Sequence, residues 1–280
     1  MLTRRNFIRA TVAASFTAAA TTLYTWKIEP HWLEIVQRPM GVRHLPAELV
    51  GKTVMQISDL HIGVQVDSHY LIDSLQQAQA LAPDFVFYTG DFVSYDTEQQ
   101  YEQLEQVMGY AAHGRLGTAA VLGNHDYAHG WSNNAVATEI SRRLGLLGIP
   151  VLRNETRELS GLQVMGIDDY WSTNFRPEAA VAMTDFARPT IALCHNPDAA
   201  DWPVWGAFEG WILAGHTHGG QCKPPFLPPP ILPVQNSRYT AGVFDVGEGR
   251  TLYINRGLGY LMPVRFNVRP EITLFTLTAI

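Results

Sequence analysis

Lys52-Thr53-Val54-Met55-Gln56-Ile57-Ser58-Asp59-Leu60-His61 is an apolar run that ends in a carboxylate and an imidazole. A short apolar run closed by polar residues reads as a buried strand. Residues 52–58 therefore deliver Asp59 and His61 at a strand's C-terminal end. The same event recurs downstream. Residues 85–89 end in Gly90-Asp91, and residues 118–122 in Gly123-Asn124-His125-Asp126. Residues 190–194 present His195, and residues 210–214 lead into Gly215-His216-Thr217-His218.

Helical stretches separate these strands. Asp67 and Ser68 can cap a helix running to about residue 81, stopped by Pro83. Thr97 starts a Gln-rich helix to about residue 112, and further helices are expected over 133–147 and 178–186. Strands alternating with helices imply α/β layering. Functional groups at the carboxyl ends of successive strands match the ligand rule for open α/β sheets. Residues 31–37 alternate like a strand, and short strands are expected over 151–154 and 163–167. From about Tyr239, residues 242–246, 251–255 and 272–278 read as strands with Gly-rich turns. They are expected to form a second sheet packed on the first. The predicted fold is an α/β four-layer α/β/β/α sandwich with a pair of mixed sheets.

The residue types suit a metal centre. In an extended chain, residues i and i+2 face the same way, so Asp59 and His61 can reach one ion, and His216 and His218 share the spacing. Asp91 has two oxygens and can bridge two ions; Asn124 offers a neutral amide oxygen. Mixed carboxylate, amide and imidazole donors suit Mn, Fe and Zn alike. Two divalent ions exceed Asp59, Asp91 and a bridging hydroxide by about one positive charge, which favours a phosphoryl group.

The 280 residues are 46% hydrophobic and 16% charged, with a formal charge of −6. These values suit a globular protein with a sizeable core and carry no nucleic-acid signature. The start is a different material. Thr3-Arg4-Arg5-Asn6-Phe7-Ile8-Arg9 precedes an Ala- and Thr-rich apolar stretch, with no acidic residue before Glu29. A basic start and a short apolar segment form the pattern of an export signal, and the paired arginines resemble the twin-arginine (Tat) type. Residues 1–30 are read as a signal or N-terminal anchor, and 31–280 as one domain. Ala18-Ala19-Ala20 offers a cleavage site. Cys194 and Cys222 are read as unpaired thiols. The run from Pro224 to Pro233 reads as a stiff connector, with an apolar lip beside the metals as the alternative. Trp202, Trp205 and Trp211 read as core residues.

These motifs resemble the calcineurin-like metallophosphoesterase superfamily over nearly the whole chain after the signal. Leu122 to Tyr127, Gly215 to Gln221, Asn255 to Gly259 and Arg269-Pro270-Glu271 look like a branch containing Tat-exported bacterial phosphodiesterases. That branch is similar to some UDP-diacylglucosamine pyrophosphatases. The resemblance implies two divalent ions. Asp59, His61, Asp91 and His218 would hold the first; Asp91 would bridge to the second, completed by Asn124, His195 and His216. His125 would be the catalytic acid or transition-state stabiliser, with Asp126 orienting its ring. The implied reaction is phosphodiester hydrolysis by attack of a metal-activated hydroxide on phosphorus. A pyrophosphatase acting on a nucleotide-linked lipid is the enzyme alternative, and a non-catalytic metal-stabilised binding module is the alternative of another class. The expected partners are a phosphoester substrate, the Tat machinery and a membrane or lipid surface. The expected chain is an exported monomer, tethered if its signal is retained.

Overall fold

Along β2 (Thr53–Ile57) the side chains alternate between two cores. Val54 joins one apolar cluster, and Met55 and Ile57 join another. β3 (Phe85–Thr89) repeats the alternation, with Phe85 and Phe87 on the first side and Val86 and Tyr88 on the second. A strand buried on both faces needs a layer above and a layer below, and the computed structural model, which describes residues 3–94 and 97–280, supplies both.

The first sheet has the order β1-β11-β2-β3-β4, with β1 spanning Glu34–Val42, β4 Gly117–Val121 and β11 Glu271–Ala279. The second has the order β5-β6-β7-β8-β10-β9. Its members are β5 (Glu155–Leu159), β6 (Leu162–Gly166), β7 (Thr190–Leu193), β8 (Trp211–Ala214), β9 (Gly242–Gly247) and β10 (Arg250–Ile254). Both sheets are mixed. β2, β3 and β4 run parallel, as do β6, β7, β8 and β10, while β11 is antiparallel to β2. Phe85, Phe87, Val121 and Phe275 of the first sheet pack on Val164, Leu193, Leu213 and Tyr253 of the second.

The helices α2 (Ser68–Ala80), α3 (Glu98–Met108) and α4 (Asn134–Leu146) cover the outer face of the first sheet through Leu71, Leu104 and Ile140. Each is capped by a side chain that accepts from the first turn: Asp67 from His69 N, Thr97 from Gln100 N, Asn133 from Ala135 N. The short α5 (Pro177–Ala182) and the Trp205–Phe208 segment cover the second sheet. The four-layer α/β/β/α architecture is therefore present. Cys194 is buried and Cys222 half-buried, and they are not bridged.

Three local expectations change. The second sheet begins at β5, and the C-terminal β11 returns to the first sheet between β1 and β2. Residues 151–154 form no strand; Val151 makes one bridge to Ala120, and the strand starts at Glu155. β1 runs from Glu34 to Val42 rather than over 31–37, because its parallel partner β11 extends it past Pro39. Residues 4–23 are a helix, α1, none of whose residues is buried. Beyond it the chain does not detach. Thr25 O accepts from Arg265 N at 3.0 Å, and Glu29 and Pro30 are buried in the body of the fold. No described helix is long and apolar enough to cross a membrane.

Candidate metal centre

Five loops leave the C-terminal ends of β2, β3, β4, β7 and β8 and meet at one edge of the two sheets. Asp59, His61, Asp91, His216 and His218 all have positive φ, between 48° and 73°. The extended i, i+2 geometry expected from sequence is thus absent. Left-handed residues instead turn each loop back on itself. Such conformations are uncommon outside glycine and cost energy that the surroundings must offset. Here a lattice of main-chain bonds does so: Asp59 N to Gly90 O at 2.9 Å, His61 N to Asp91 O at 3.0 Å, and Gly215 N to His195 O at 2.9 Å.

The side chains converge as a cluster of Asp59, His61 and His218 and a cluster of Asp91, His195 and His216, with a third group of His61, Asp91 and His125 overlapping both. In the first, His61 Nε2 lies 3.0 Å from His218 Nε2, and His218 Nε2 lies 3.3 Å from Asp59 Oδ1. In the second, His195 Nε2 lies 3.1 Å from Asp91 Oδ2 and 3.2 Å from His216 Nδ1. Asp91 Oδ2 is also 3.5 Å from His61 Nε2, so this carboxylate faces both clusters. Asn124 is buried, and its Oδ1 has no hydrogen-bond partner. An unsatisfied buried acceptor is costly, and a cation is the partner its position fits. All seven predicted ligands lie together.

The imidazoles are set up to bind through one nitrogen each. His195 Nδ1 donates to Thr89 O at 2.7 Å, which leaves Nε2 for a metal. His216 is the reverse: Nε2 donates to Pro233 O at 2.8 Å and leaves Nδ1. Carbonyl partners of this kind fix the tautomer and ring orientation of metal-binding histidines. The Pro-rich segment therefore does more than connect, since its last carbonyl orients a ligand.

Burial pushes His61 and His216 down to about 3 and His218 well below its usual value, so all three are neutral lone-pair donors at pH 7. Burial raises Asp59 to about 6, opposed by His195 and assisted by Asp91. Burial acts to raise Asp91 too, but the charges of His195, His125 and His61 outweigh it and hold Asp91 well below the carboxylate range. His195 goes the other way: burial disfavours its charge, but Asp91 and Asp59 overcome that and raise it well above 6.5. Two carboxylates and the neutral imidazoles of His61, His216 and His218 are donors that divalent ions need, and His195 must release its Nε2 proton to join them.

His125 sits at the mouth, half-buried, with its backbone N donating to Asp91 Oδ1 at 2.9 Å. Its ring lies edge-on to that of His61, with centroids 5.0 Å apart. Asp126 is fully buried and does not orient that ring. Its carboxylate accepts from Phe92 N at 2.9 Å, Val93 N at 3.2 Å and Gly123 N at 2.9 Å. It ties the Asp91 loop to the Asn124 loop and is a positioning group, a correction to the role expected from sequence. Trp131 and Trp171, which sequence reasoning missed, stack on each other with centroids 4.6 Å apart. Trp171 meets His216 edge-on at 4.5 Å, and the pair walls the cavity that opens onto Asp91, Asn124 and His125. No strand-end motif marks either Trp. Trp202, Trp205 and Trp211 lie outside that cavity lining. Trp205 is buried, Trp211 half-buried and Trp202 exposed at 46%, so Trp202 is not the core residue expected.

Residues 52–220 match the family described as calcineurin-like phosphoesterase. The chain is 30% identical over 283 residues to the phosphodiesterase YaeI of Escherichia coli, covering 99% of this chain and 100% of that one. It is also 30% identical to an uncharacterized metallophosphoesterase, YkuE, of Bacillus subtilis, over 99% of this chain and 98% of the relative. It is 28% identical to the UDP-2,3-diacylglucosamine pyrophosphatase LpxG of Chlamydia trachomatis, over 96% and 98% of the two chains. Members of this family carry a dinuclear divalent metal centre, and the donor set of this cleft fits one. A family match through the strands that deliver the ligands, and likeness end to end, make this chain a metal-dependent phosphoester hydrolase of the calcineurin-like phosphoesterase family.

Proposed function

We propose that this chain is a phosphodiesterase acting outside the cytoplasm. The observation that carries the reading is the pair of carboxylate–imidazole clusters facing one shared carboxylate, Asp91, beside His125 at an open cavity. Asp59, His61, Asp91 and His218 would hold one ion, and Asp91, Asn124, His195 and His216 the other. Bound divalent ions supply Lewis-acid activation of water and of the phosphoryl group.

The chain's own residues do the rest. Thr89 O and Pro233 O hold His195 and His216 in the ligating tautomer. Asp126 fixes the spacing of the Asp91 and Asn124 loops. His125 Nδ1 lies 3.5 Å from Ser94 O, which leaves Nε2 to give a proton to the leaving oxygen. Trp131 and Trp171 wall the cavity and limit water. The likeness to LpxG supports a second reading, a pyrophosphatase for a nucleotide-linked lipid. The Arg4-Arg5 start and the exposed α1 support export by the Tat route, with α1 either removed or kept as a tether.

Hydrolysis of bis-p-nitrophenyl phosphate and p-nitrophenyl phosphate by metal-stripped and Mn²⁺-reloaded protein tests the reading, with Asp91→Ala as control. Metal-dependent turnover that favours the diester and vanishes in Asp91→Ala is expected. Preference for the monoester would overturn the diesterase assignment, and turnover by the stripped protein would overturn the metal assignment.

A further inference from the structure

A second cavity, of about 230 Å³, adjoins the metal cleft, and neither Trp131 nor Trp171 borders it. His216, His218, Pro233 and Leu261 line both cavities, so the two are continuous. Beyond the histidines its walls are Pro230, Ile231, Leu261, Met262 and Cys222. The polar side chains on its rim are bonded within the protein, except for His218 Nδ1, which is buried and has no partner. Gln221 Nε2 donates to Met262 O at 3.1 Å and Val264 O at 3.0 Å, and its Oε1 accepts from Leu261 N at 3.1 Å. Thr217 Oγ1 donates to Thr240 O, and His216 Nε2 to Pro233 O. Apart from that buried nitrogen the cavity offers carbon, so a sugar or a base would leave most of its polar groups unpaired there.

The walls are preformed. Gln221 pins residues 261–264 from inside, while Arg265 N is bonded to Thr25 O and Val268 N to Glu29 Oε1 from outside. The same loops carry apolar side chains that nothing covers: Phe226 is fully exposed, Ile231 74% and Met262 60% exposed. A cluster of this kind marks a binding surface.

Resting on the phosphoesterase reading, we propose that this trough binds the hydrocarbon tail of an amphiphilic phosphoester, whose phosphoryl group lies at the metal centre. The occupant is a lipid-class substrate, a single alkyl or acyl chain lying against Ile231, Leu261 and Met262. The continuity of trough and cleft sets the order of its parts: phosphoryl group at Asp91 and Asn124, tail past His218 and Leu261. Because Pro233 orients His216 and ends the segment that builds the trough wall, filling the trough stiffens a metal ligand as well.

Alkylphosphonic acids from ethyl to decyl test this without turnover, because their carbon–phosphorus bond resists hydrolysis. Binding to the full-length Mn²⁺-loaded protein is measured by calorimetry below the aggregation concentration of each acid. Affinity is expected to rise about two- to fourfold per added methylene, as for a methylene that is half to fully removed from water, and to level off when the trough is full. In the double variant Ile231→Ser, Met262→Ser the chain-length slope should flatten. Both side chains are exposed, so folding does not depend on them. A wild-type slope of zero overturns the proposal, as does a slope that survives in the double variant, which would place the tail elsewhere. Turnover of dimethyl, methyl hexyl and methyl decyl phosphate is measured alongside. No turnover of any of them would overturn the phosphodiesterase reading alone, since the binding slope does not depend on it.

Discussion

Gly257 is where backbone packing bears most directly on the metal site. Its φ is +71°, and a Cβ placed there would lie 2.6 Å from Asp59 Cβ. Carbon atoms prefer about 3.5–4.0 Å, so Gly257→Ala requires a relative shift of roughly 1 Å. The segment cannot yield freely, because Leu258 N is bonded to Ser58 O at 2.9 Å, Gly259 N to Asp59 O at 2.7 Å, and Arg265 reaches the carbonyls of residues 256, 257 and 259. Asp59 therefore moves. Metal–ligand distances tolerate about 0.2 Å, and disturbing the groups that position a ligand costs about 10–100-fold in metal affinity. A misplacement of about 1 Å costs roughly 10²-fold in rate. The left-handed backbone adds about 1–2 kcal/mol for a residue with a Cβ, worth about 2–4 °C per kcal/mol in a chain near this size.

The matched control is Gly242→Ala. Gly242 has φ +91° and no heavy atom within 4 Å of its built Cβ, so it carries the backbone cost without the contact. Thermal melting of stripped protein, Mn²⁺ titration and kcat/KM on bis-p-nitrophenyl phosphate are measured for both. Both variants should lose melting temperature; only Gly257→Ala should lose metal affinity and turnover. Wild-type metal affinity in Gly257→Ala, or equal weakening in Gly242→Ala, would refute the argument that this loop sets the position of Asp59.

Three further outcomes follow from the geometry. His125→Ala should lower kcat by about 10²–10⁴ with two metals retained by elemental analysis; loss of one metal would make His125 a ligand, which its grouping with His61 and Asp91 permits. Asp126→Asn replaces an acceptor of three backbone amides by a group that is half donor. It should cost about 1–3 kcal/mol, seen as a lower melting temperature, whereas a fall in kcat at unchanged melting temperature would restore a catalytic role. Glu139, bonded to Arg142 and Arg143, is lowered from 4.5 to about 2 by those two hydrogen bonds. A lowered carboxylate stabilises the fold above its unfolded value, and the contribution fades as pH falls from about 4.5 to about 2. The melting difference between wild type and Glu139→Gln should be present at pH 7 and close over that window; a difference that widens in acid would contradict the assignment.

What the sequence shows of this site depends on how local each signal is. Asp59, Asp91, Asn124, His195 and His218 were legible because each closes an apolar run, and strand ends of parallel sheets must meet at one edge. Asp59 and His61 come into one cluster by a different geometry from the extended i, i+2 spacing. Their φ values of 52° and 48° describe a folded-back loop, stabilised by bonds to Gly90 and Asp91 that lie 30 residues away and leave no local trace. The same holds for the sheets. Nothing local in residues 271–279 distinguishes a strand that joins its sequence neighbours from one that crosses to the first sheet. The crossing is decided by Glu271, buried and bonded to Tyr253 Oη and Arg256 Nε, and by Thr273, which Asn255 reaches from the second sheet at 3.0 Å. Asp126 and Trp131 mark the limit from the other side. Both follow the Gly123-Asn124-His125 motif closely, yet one is buried under three backbone amides and the other is turned over the metal cleft by left-handed Ala128 and its own φ of 55°. Proximity in sequence to a ligand motif identified neither role; the acceptor geometry of the first and the ring contact of the second did. The metal ligands of this fold are thus written in short motifs, whereas the groups that position them and shape what they bind are written in non-local contacts. The trough beside the ligands belongs to that second class, since its walls come from three segments, among them His216 and Gln221, Pro230 and Ile231, and Leu261 and Met262, which converge only in the folded chain.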